Sequence, residues 1–143
     1  MKLSEIKEII NLANDLNICK HSLFEEIGSE NNNFEVEEYR FLTEKEALTE
    51  CINMYECDEY ILGCFNADFI EDYLPLSYDD IKILQESETG YSIIGKLILN
   101  SGKLSEFIKE YIRLDGYGHA LHSYDGNYEE ITLNNIEYIY FKS

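Results

Sequence analysis

Two of the three histidines of this chain lie in one short segment, among aspartates and glycines, where they could carry chemistry. Histidine and carboxylate side chains are common metal ligands, and a histidine beside a serine can activate its hydroxyl as a nucleophile. The ligands of a metal site here would be His119, His122, and either Asp115 or Asp125. In the catalytic alternative, His119 acts as a base toward Ser123. An enzyme that uses His119, His122 and Asp125 is therefore one hypothesis.

The spacing of these histidines argues against a metal site. Residues three apart on a strand point to opposite faces, so only a helix would bring the two side chains together. Glycines at positions 116, 118 and 126 disfavour a helix in this segment. We therefore interpret Asp115–Gly126 as a glycine-containing helix exit followed by a hairpin, and it contains no complete nucleotide-binding glycine motif.

Carboxylates and thiols offer no sharper motif. Adjacent acids recur along the chain, but a linear sequence does not distinguish the acid and base of a glycosidase-like site from surface charge. No calcium-loop pattern is present, and the four cysteines form no CxxC pair and fit no zinc spacing. We expect Cys51, Cys57 and Cys64 to be reduced thiols in the core. The sequence thus predicts no metal and no cofactor.

The composition excludes several classes of function. The chain has 143 residues, is 45% hydrophobic and contains one proline, which indicates a folded core of one domain or two small ones. Its 29 acids and 11 bases give a net charge of −18, which excludes unaided binding to nucleic acid or to an anionic membrane. No stretch has the length of a membrane span, and no signal-peptide pattern is present, so we expect a cytosolic protein.

The negative charge is concentrated in the middle of the chain. Residues 25–88 hold 19 acids and three bases, whereas the other 79 residues hold 10 acids and eight bases. Solubility requires a net charge of only about 2–8 in magnitude for a small domain. A generally acidic proteome would explain the excess without a function, but its confinement to one segment calls for a functional explanation.

Apolar periodicity and turn residues predict a mixture of helices and strands. Thr43 to Glu46 is a capping box, Ser77 is a second N-cap, and Asp125-Gly126 and Asn134-Asn135 are hairpin turns. Helices are predicted over 5–16, 43–56 and 102–116 and from 77 onwards. Residues 91–100 fit a helix or a buried strand, and we favour the helix. Strands are predicted over 34–41, 59–65, 117–124, 128–133 and 136–142. Residues 21–33 are predicted to be a connection, and 68–74 a turn or a single helical turn.

These elements predict the α+β class, as a small acidic domain with N-terminal and central helices and a C-terminal antiparallel β-meander. The charge distribution divides it into an acidic α/β segment, 1–88, and a helix with C-terminal hairpins, 89–143. A single domain over 1–143 is the alternative.

Two parts of the chain resemble proteins of phages and plasmids. The run from Glu59–Leu62 through Asp68–Ser77, followed by an acid-bearing helix, resembles the acidic stretch of the ArdA-type antirestriction proteins. The segment Asp115–Gly126, ahead of the strand residues Tyr138–Phe141, is similar to small phage and plasmid proteins. The ArdA resemblance implies an elongated dimer that imitates bent DNA, blocks a type I restriction enzyme and has no catalytic residues.

The acidity itself suggests how such a protein would act. Acidic residues three or four apart on a helix have Cβ atoms about 5–6 Å apart, which is in the range needed to imitate successive phosphates. We therefore expect a nucleic-acid mimic, encoded by a mobile element, that inhibits a basic nucleic-acid-binding protein of the host's restriction or CRISPR-type defence. The phosphate-mimicking acids would be Glu35, Glu37, Glu38, Glu46, Glu50, Asp58, Glu59, Asp68, Glu71, Asp72, Asp79 and Asp80.

The alternative from another class is an acidic protein–protein adaptor without catalytic activity. It would dock through the C-terminal hairpins, and its docking residues would include Tyr117, His119, His122 and Tyr124. Charge reversal in the middle segment would abolish the action of a mimic, whereas an adaptor would tolerate it and fail when Tyr117 or Leu121 is altered. A homodimer is compatible with either hypothesis.

Overall fold

A computed structural model describes all residues from Met1 to Ser143 and contains nine helices and one four-stranded antiparallel sheet, so the predicted α+β class is confirmed. The helices are α1 (Leu3–Leu16), α2 (Lys20–Gly28), α3 (Glu44–Glu56), α4 (Glu59–Gly63), α5 (Ala67–Glu71), α6 (Tyr78–Glu86), α7 (Gly90–Asn100), α8 (Leu104–Asp115) and α9 (Tyr117–Ala120). The strands are β1 (Asn33–Val36), β2 (Tyr39–Leu42), β3 (Glu129–Leu133) and β4 (Ile136–Lys142). None of the helices combines the length and the apolarity that a membrane span requires.

The chain divides into two compact units. The sheet unit consists of Met1–Leu48 and Asp115–Ser143, and the helical unit consists of Thr49–Leu114. The charge distribution predicts a division near residue 88, whereas the structure divides the chain within α3 and at the end of α8. The difference arises because β4 pairs with β2, which places the C-terminal strands in the same unit as the N-terminal helices.

The strand order in the sheet unit is β1-β2-β4-β3, and every neighbouring pair is antiparallel. The single strand predicted over 34–41 is instead a hairpin, because Glu37, with a φ of 56°, turns the chain between β1 and β2. The predicted turn at Asn134 and Asn135 is confirmed, with φ values of 53° and 65° that asparagine tolerates better than most residues. Strands β1 and β3 form the two edges of the sheet.

Helices α1 and α2 cover one face of the sheet, so residues 20–28 are a helix rather than the predicted connection. The Phe34 and Phe41 rings stack there with centroids 5.0 Å apart. The Tyr138 hydroxyl donates a hydrogen bond of 2.8 Å to the carbonyl of Asn31, which satisfies a buried polar group. The core consists of Ile9, Leu12, Ala13, Leu23, Ile27, Phe34, Val36, Phe41, Leu133 and Tyr138.

In the helical unit, α4 packs against α7 through two glycines. A Cβ atom at Gly63 would lie 1.8 Å from the carbonyl oxygen of Tyr91, and one at Gly95 would lie 1.9 Å from that of Glu59. A cluster of aromatic rings, with neighbouring centroids 4.8–5.9 Å apart, fills the rest of this core. Its members are Tyr55, Phe65, Phe69, Tyr73, Phe107 and Tyr111.

The strand predicted over 59–65 is wrong, because these residues form α4 and the turn that follows it. By periodicity alone, a short apolar run fits a buried strand and a buried helix equally well. The Asp58 side chain caps the helix by accepting the backbone N–H of Ile61 at 3.1 Å. The N-caps predicted at Thr43 and Ser77 and the helix over 91–100 are confirmed.

The strand predicted over 117–124 is also wrong, and with it the first hairpin of the C-terminal meander. Gly116 ends α8 with a φ of 80°, the short helix α9 follows at once, and His122 turns the chain back with a φ of 55°. The backbone N–H of Ser123 then donates to the carbonyl of Gly118 at 2.9 Å. Strand β2, rather than this segment, is the second neighbour of β4.

Candidate functional site

The twelve acids predicted to imitate phosphates are divided between the two units. Glu35, Glu37, Glu38 and Glu46 belong to the sheet unit, and the other eight belong to the helical unit. The sheet unit holds 16 acids and six bases, for a net charge of −10, and the helical unit holds 13 acids and five bases, for −8. Both folded units therefore share the negative charge that is concentrated in the middle of the sequence.

The acids of the β1–β2 hairpin are engaged within the protein. Glu35 Oε1 lies 3.6 Å from Arg40 Nε, and Glu38 Oε2 lies 3.3 Å from Lys142 Nζ. The contact with Glu38 also raises the pKa of Lys142. Glu37 accepts a backbone N–H from the connection between α1 and α2 at 2.9 Å. The hairpin therefore presents less free negative charge than its sequence predicts.

Four more of the predicted acids are half-buried in or next to α3 and α4. Glu46 lies in the first turn of α3 and Glu50 in its interior, whereas Asp58 is the N-cap of α4 and Glu59 its first residue. An acid in the first turn of a helix interacts favourably with the helix dipole, and Glu46 and Glu59 occupy such positions. Burial, together with the neighbouring Glu50 carboxylate, raises the pKa of the Cys51 thiol to about 12. These four acids are therefore less accessible to a partner than fully exposed ones.

The remaining five predicted acids are exposed, and they lie on α5, on α6 and at the residue that follows α5. Helices α5 and α6 pack against each other. We call them the α5–α6 acids: Asp68, Glu71, Asp72, Asp79 and Asp80. None of them forms an ion pair in the structure. The first three follow the spacing i, i+3, i+4 of one helix face, and the last two occupy the first turn of α6. These are the acids that the structure leaves available for a partner.

One base lies among the acids of this region. Residues 49–88 hold 11 acids and a single base, Lys82. The Lys82 ammonium lies 5.9 Å from the centroid of the Tyr78 ring, in a cation–π contact rather than against a carboxylate. Lys82 and Asp68 both line a cavity of about 320 Å³ in the helical unit. The charge of the α5–α6 acids is therefore almost uncompensated by the local sequence.

The negative surface extends from α5 to α8 at Tyr73. Burial raises the pKa of the Tyr73 hydroxyl, and the carboxylates of Glu110, Asp72 and Glu106 raise it further, because an ionised phenol would add a like charge among them. Glu110 is partly neutralised by Arg113, which donates hydrogen bonds of 2.9 and 2.6 Å to its two carboxylate oxygens. Sequence reasoning missed Glu106, because only the fold brings α8 beside Tyr73.

The Asp115–Gly126 segment has the geometry of a tightly packed turn. A Cβ atom at Gly118 would lie 2.1 Å from the carbonyl oxygen of Gly126, and one at Gly126 would lie 2.8 Å from the His119 ring. The Ser123 hydroxyl is buried and has no hydrogen-bond partner, so it donates no hydrogen bond to His119 and the base–nucleophile pair is not formed. No group of three or more His, Cys, Asp and Glu side chains is arranged to hold a metal ion. The glycines in this segment allow the backbone and the His119 ring to pack closely.

The structure separates the secondary docking candidates. Tyr117 is buried against Tyr128, with ring centroids 5.8 Å apart, so it does not offer the docking surface that the adaptor hypothesis requires. His119 and His122 are exposed, and Tyr124 is 77% exposed. The prediction of three core cysteines is correct for Cys51 only, because Cys57 and Cys64 lie at exposed helix ends.

Comparison with protein-family models, curated proteins and solved structures gives no match, so a function is inferred from the residues and their arrangement.

Proposed function

We propose that this chain is an acidic nucleic-acid mimic that inhibits a host DNA-processing defence enzyme, of the restriction or CRISPR type, by occupying its cationic DNA-binding groove. The observation that carries the proposal is the set of α5–α6 acids, five exposed carboxylates without ion pairs on adjacent helices. In the Asp115–Gly126 segment, His119 and Ser123 do not form the base–nucleophile pair of the enzyme hypothesis.

Charge spacing supports this class of partner. Duplex DNA carries about one negative charge per 1.7 Å of axis, and proteins bind it largely by neutralising phosphates with lysine and arginine. Helix residues three or four apart have Cβ atoms about 5–6 Å apart, and their carboxylates offer the same cations a series of charge-assisted hydrogen bonds. The backbone that carries them is already folded, so binding orders only their side chains. The resemblance of Asp68–Ser77 to ArdA-type antirestriction proteins supports the same kind of target, and a gene carried by a phage or plasmid.

The proposal is tested by DNA cleavage with a panel of type I restriction and CRISPR effector nucleases in the presence of this chain. We expect inhibition of at least one nuclease at stoichiometric concentrations. The affinity for that nuclease should fall by at least about tenfold when salt rises from 50 to 200 mM, because the contacts are ionic and release counterions.

Bovine serum albumin, another acidic protein, serves as the control for unspecific ionic effects at the same concentration. Inhibition of no nuclease in the panel would contradict the proposal. An affinity that does not change with salt would contradict the ionic mechanism.

A further inference from the structure

The open edge of the sheet at β3 offers a second binding surface that involves none of the α5–α6 acids. Strand β3 pairs only with β4. Because the two-residue turn makes Leu133 and Ile136 a hydrogen-bonded pair, the N–H and C=O groups of Glu130 and Thr132 point away from β4. No other backbone or side-chain group in the protein bonds to them. Two residues of β3 thus have backbone donors and acceptors that are free to pair with another strand.

Two cavities flank this edge, and acids line both of them. The first has a volume of about 280 Å³ and includes Glu44 and Glu137, and the second has about 570 Å³ and includes Glu8 and Asp15. Both cavities are lined by the same β3 residues, 130–132, and neither contains a lysine or an arginine. Apolar atoms of Ile139 and Tyr138 on one side and of Leu12 and Tyr140 on the other complete the walls.

The edge lacks the features by which proteins prevent strand addition. Exposed edge strands are normally protected by proline, by a bulge or by inward-pointing charges, commonly lysine. β3 contains no proline and pairs with β4 in continuous register, and its charged residues, Glu129 and Glu130, are both acidic. The sheet unit that contains β3 has a net charge of −10, so two copies of it repel each other. The same charge attracts a cationic strand.

We propose that β3 binds an extended basic segment of a partner protein as a fifth strand of the sheet, with adjacent lysine or arginine side chains reaching the acids on the two faces. Successive side chains of a strand point to opposite faces, so neighbouring residues of the segment enter different cavities. Main-chain hydrogen bonds to Glu130 and Thr132 supply affinity, and the acids Glu44 and Glu137 on one face and Glu8 and Asp15 on the other supply specificity.

The test uses a fluorescent peptide of about seven residues in which pairs of adjacent lysine or arginine residues are separated by valine, so that both faces carry cations; it is long enough to span β3. Its control has the same charges but N-methylated amides at all internal residues, which removes the donors from both edges of the strand. We expect salt-sensitive binding of the parent peptide to the full chain, at least about tenfold weaker binding of the methylated peptide, and slower hydrogen exchange at the amides of Glu130 and Thr132. Equal affinity of the two peptides, or unchanged exchange, would overturn the proposal, as would the absence of binding.

Two matched variants locate the site. Glu130→Lys removes an acid shared by both cavities, whereas Glu129→Lys makes the same change of charge at a neighbour that lines neither. We expect the first to weaken peptide binding by at least about tenfold and the second by less than about threefold. Circular dichroism verifies that both variants are folded. Equal effects would overturn the assignment to this edge, and reversal of the α5–α6 acids should leave peptide binding within about threefold, which keeps this test separate from that of the proposed function.

Discussion

Replacing Asp68, Glu71 and Asp72 together by lysine is expected to weaken inhibition of the target nuclease by about 100-fold or more, because each change removes an ionic contact and adds a like-charge repulsion. The three carboxylates are exposed and form no internal ion pair, so the protein should remain folded. Its free energy of unfolding should change by less than about 1 kcal/mol, because reduced repulsion within the acidic surface offsets the loss of Asp68 from the first turn of α5. Inhibition is measured as the concentration that halves DNA cleavage, and folding by thermal melting.

A matched triple variant separates this surface from the total charge. Glu25, Glu30 and Glu129 are exposed acids of the sheet unit, and replacing them by lysine changes the net charge of the protein by the same amount. We expect this variant to inhibit within about threefold of the wild type. An equal loss in the two variants would show that net charge alone governs inhibition, and would remove the α5–α6 acids as the site.

Gly95→Ala is expected to lower the free energy of unfolding by about 3 kcal/mol or more. The new Cβ atom would lie 1.9 Å from the carbonyl oxygen of Glu59, far inside van der Waals contact, so α4 and α7 would have to separate. Separation exposes buried neighbours of the contact such as Leu62 and Ile94. Urea titration followed by circular dichroism measures the change.

Gly28→Ala is the control for this substitution, because Gly28 also belongs to a helix but has no atom within 4 Å of the position that a Cβ would take. Alanine there is expected to leave stability unchanged or to raise it by about 0.4–1 kcal/mol through the unfolded state. If Gly95→Ala unfolded at the same urea concentration as the wild type, the close contact between α4 and α7 would not exist in solution.

Helix caps and tight turns, which depend on a few neighbouring residues, are the parts of the fold that the sequence predicts correctly. Thr43 and Ser77 cap helices by hydrogen bonds three residues away, and Asn134-Asn135 adopt the turn that their left-handed tolerance predicts. The apolar run 59–65 was misassigned because its helical conformation depends on a glycine contact with α7, some 30 residues later in the chain. The pairing of β2 with β4 joins residues about 100 apart, and no local pattern encodes it.

The sequence predicts that acids form the candidate site, but it does not predict which of the acids remain free of contacts within the protein. Glu38 forms an ion pair with Lys142, which lies at the other end of the chain. Glu37 accepts a backbone N–H from the loop between α1 and α2. Glu106 joins the acidic surface only because α8 packs beside Tyr73. Composition therefore gives the sign and the amount of charge, and tertiary contacts decide which carboxylates remain available.

Competition between this chain and a DNA duplex for the same nuclease tests the central claim most directly. The labelled chain is bound to the inhibited nuclease, and an unlabelled duplex that carries the nuclease's recognition site is titrated in while anisotropy and sedimentation are measured. If the chain occupies the DNA-binding groove, the duplex releases it, the apparent Kd rises in proportion to the duplex concentration, and no complex of all three components sediments. A stable complex that contains nuclease, duplex and chain together would contradict the account.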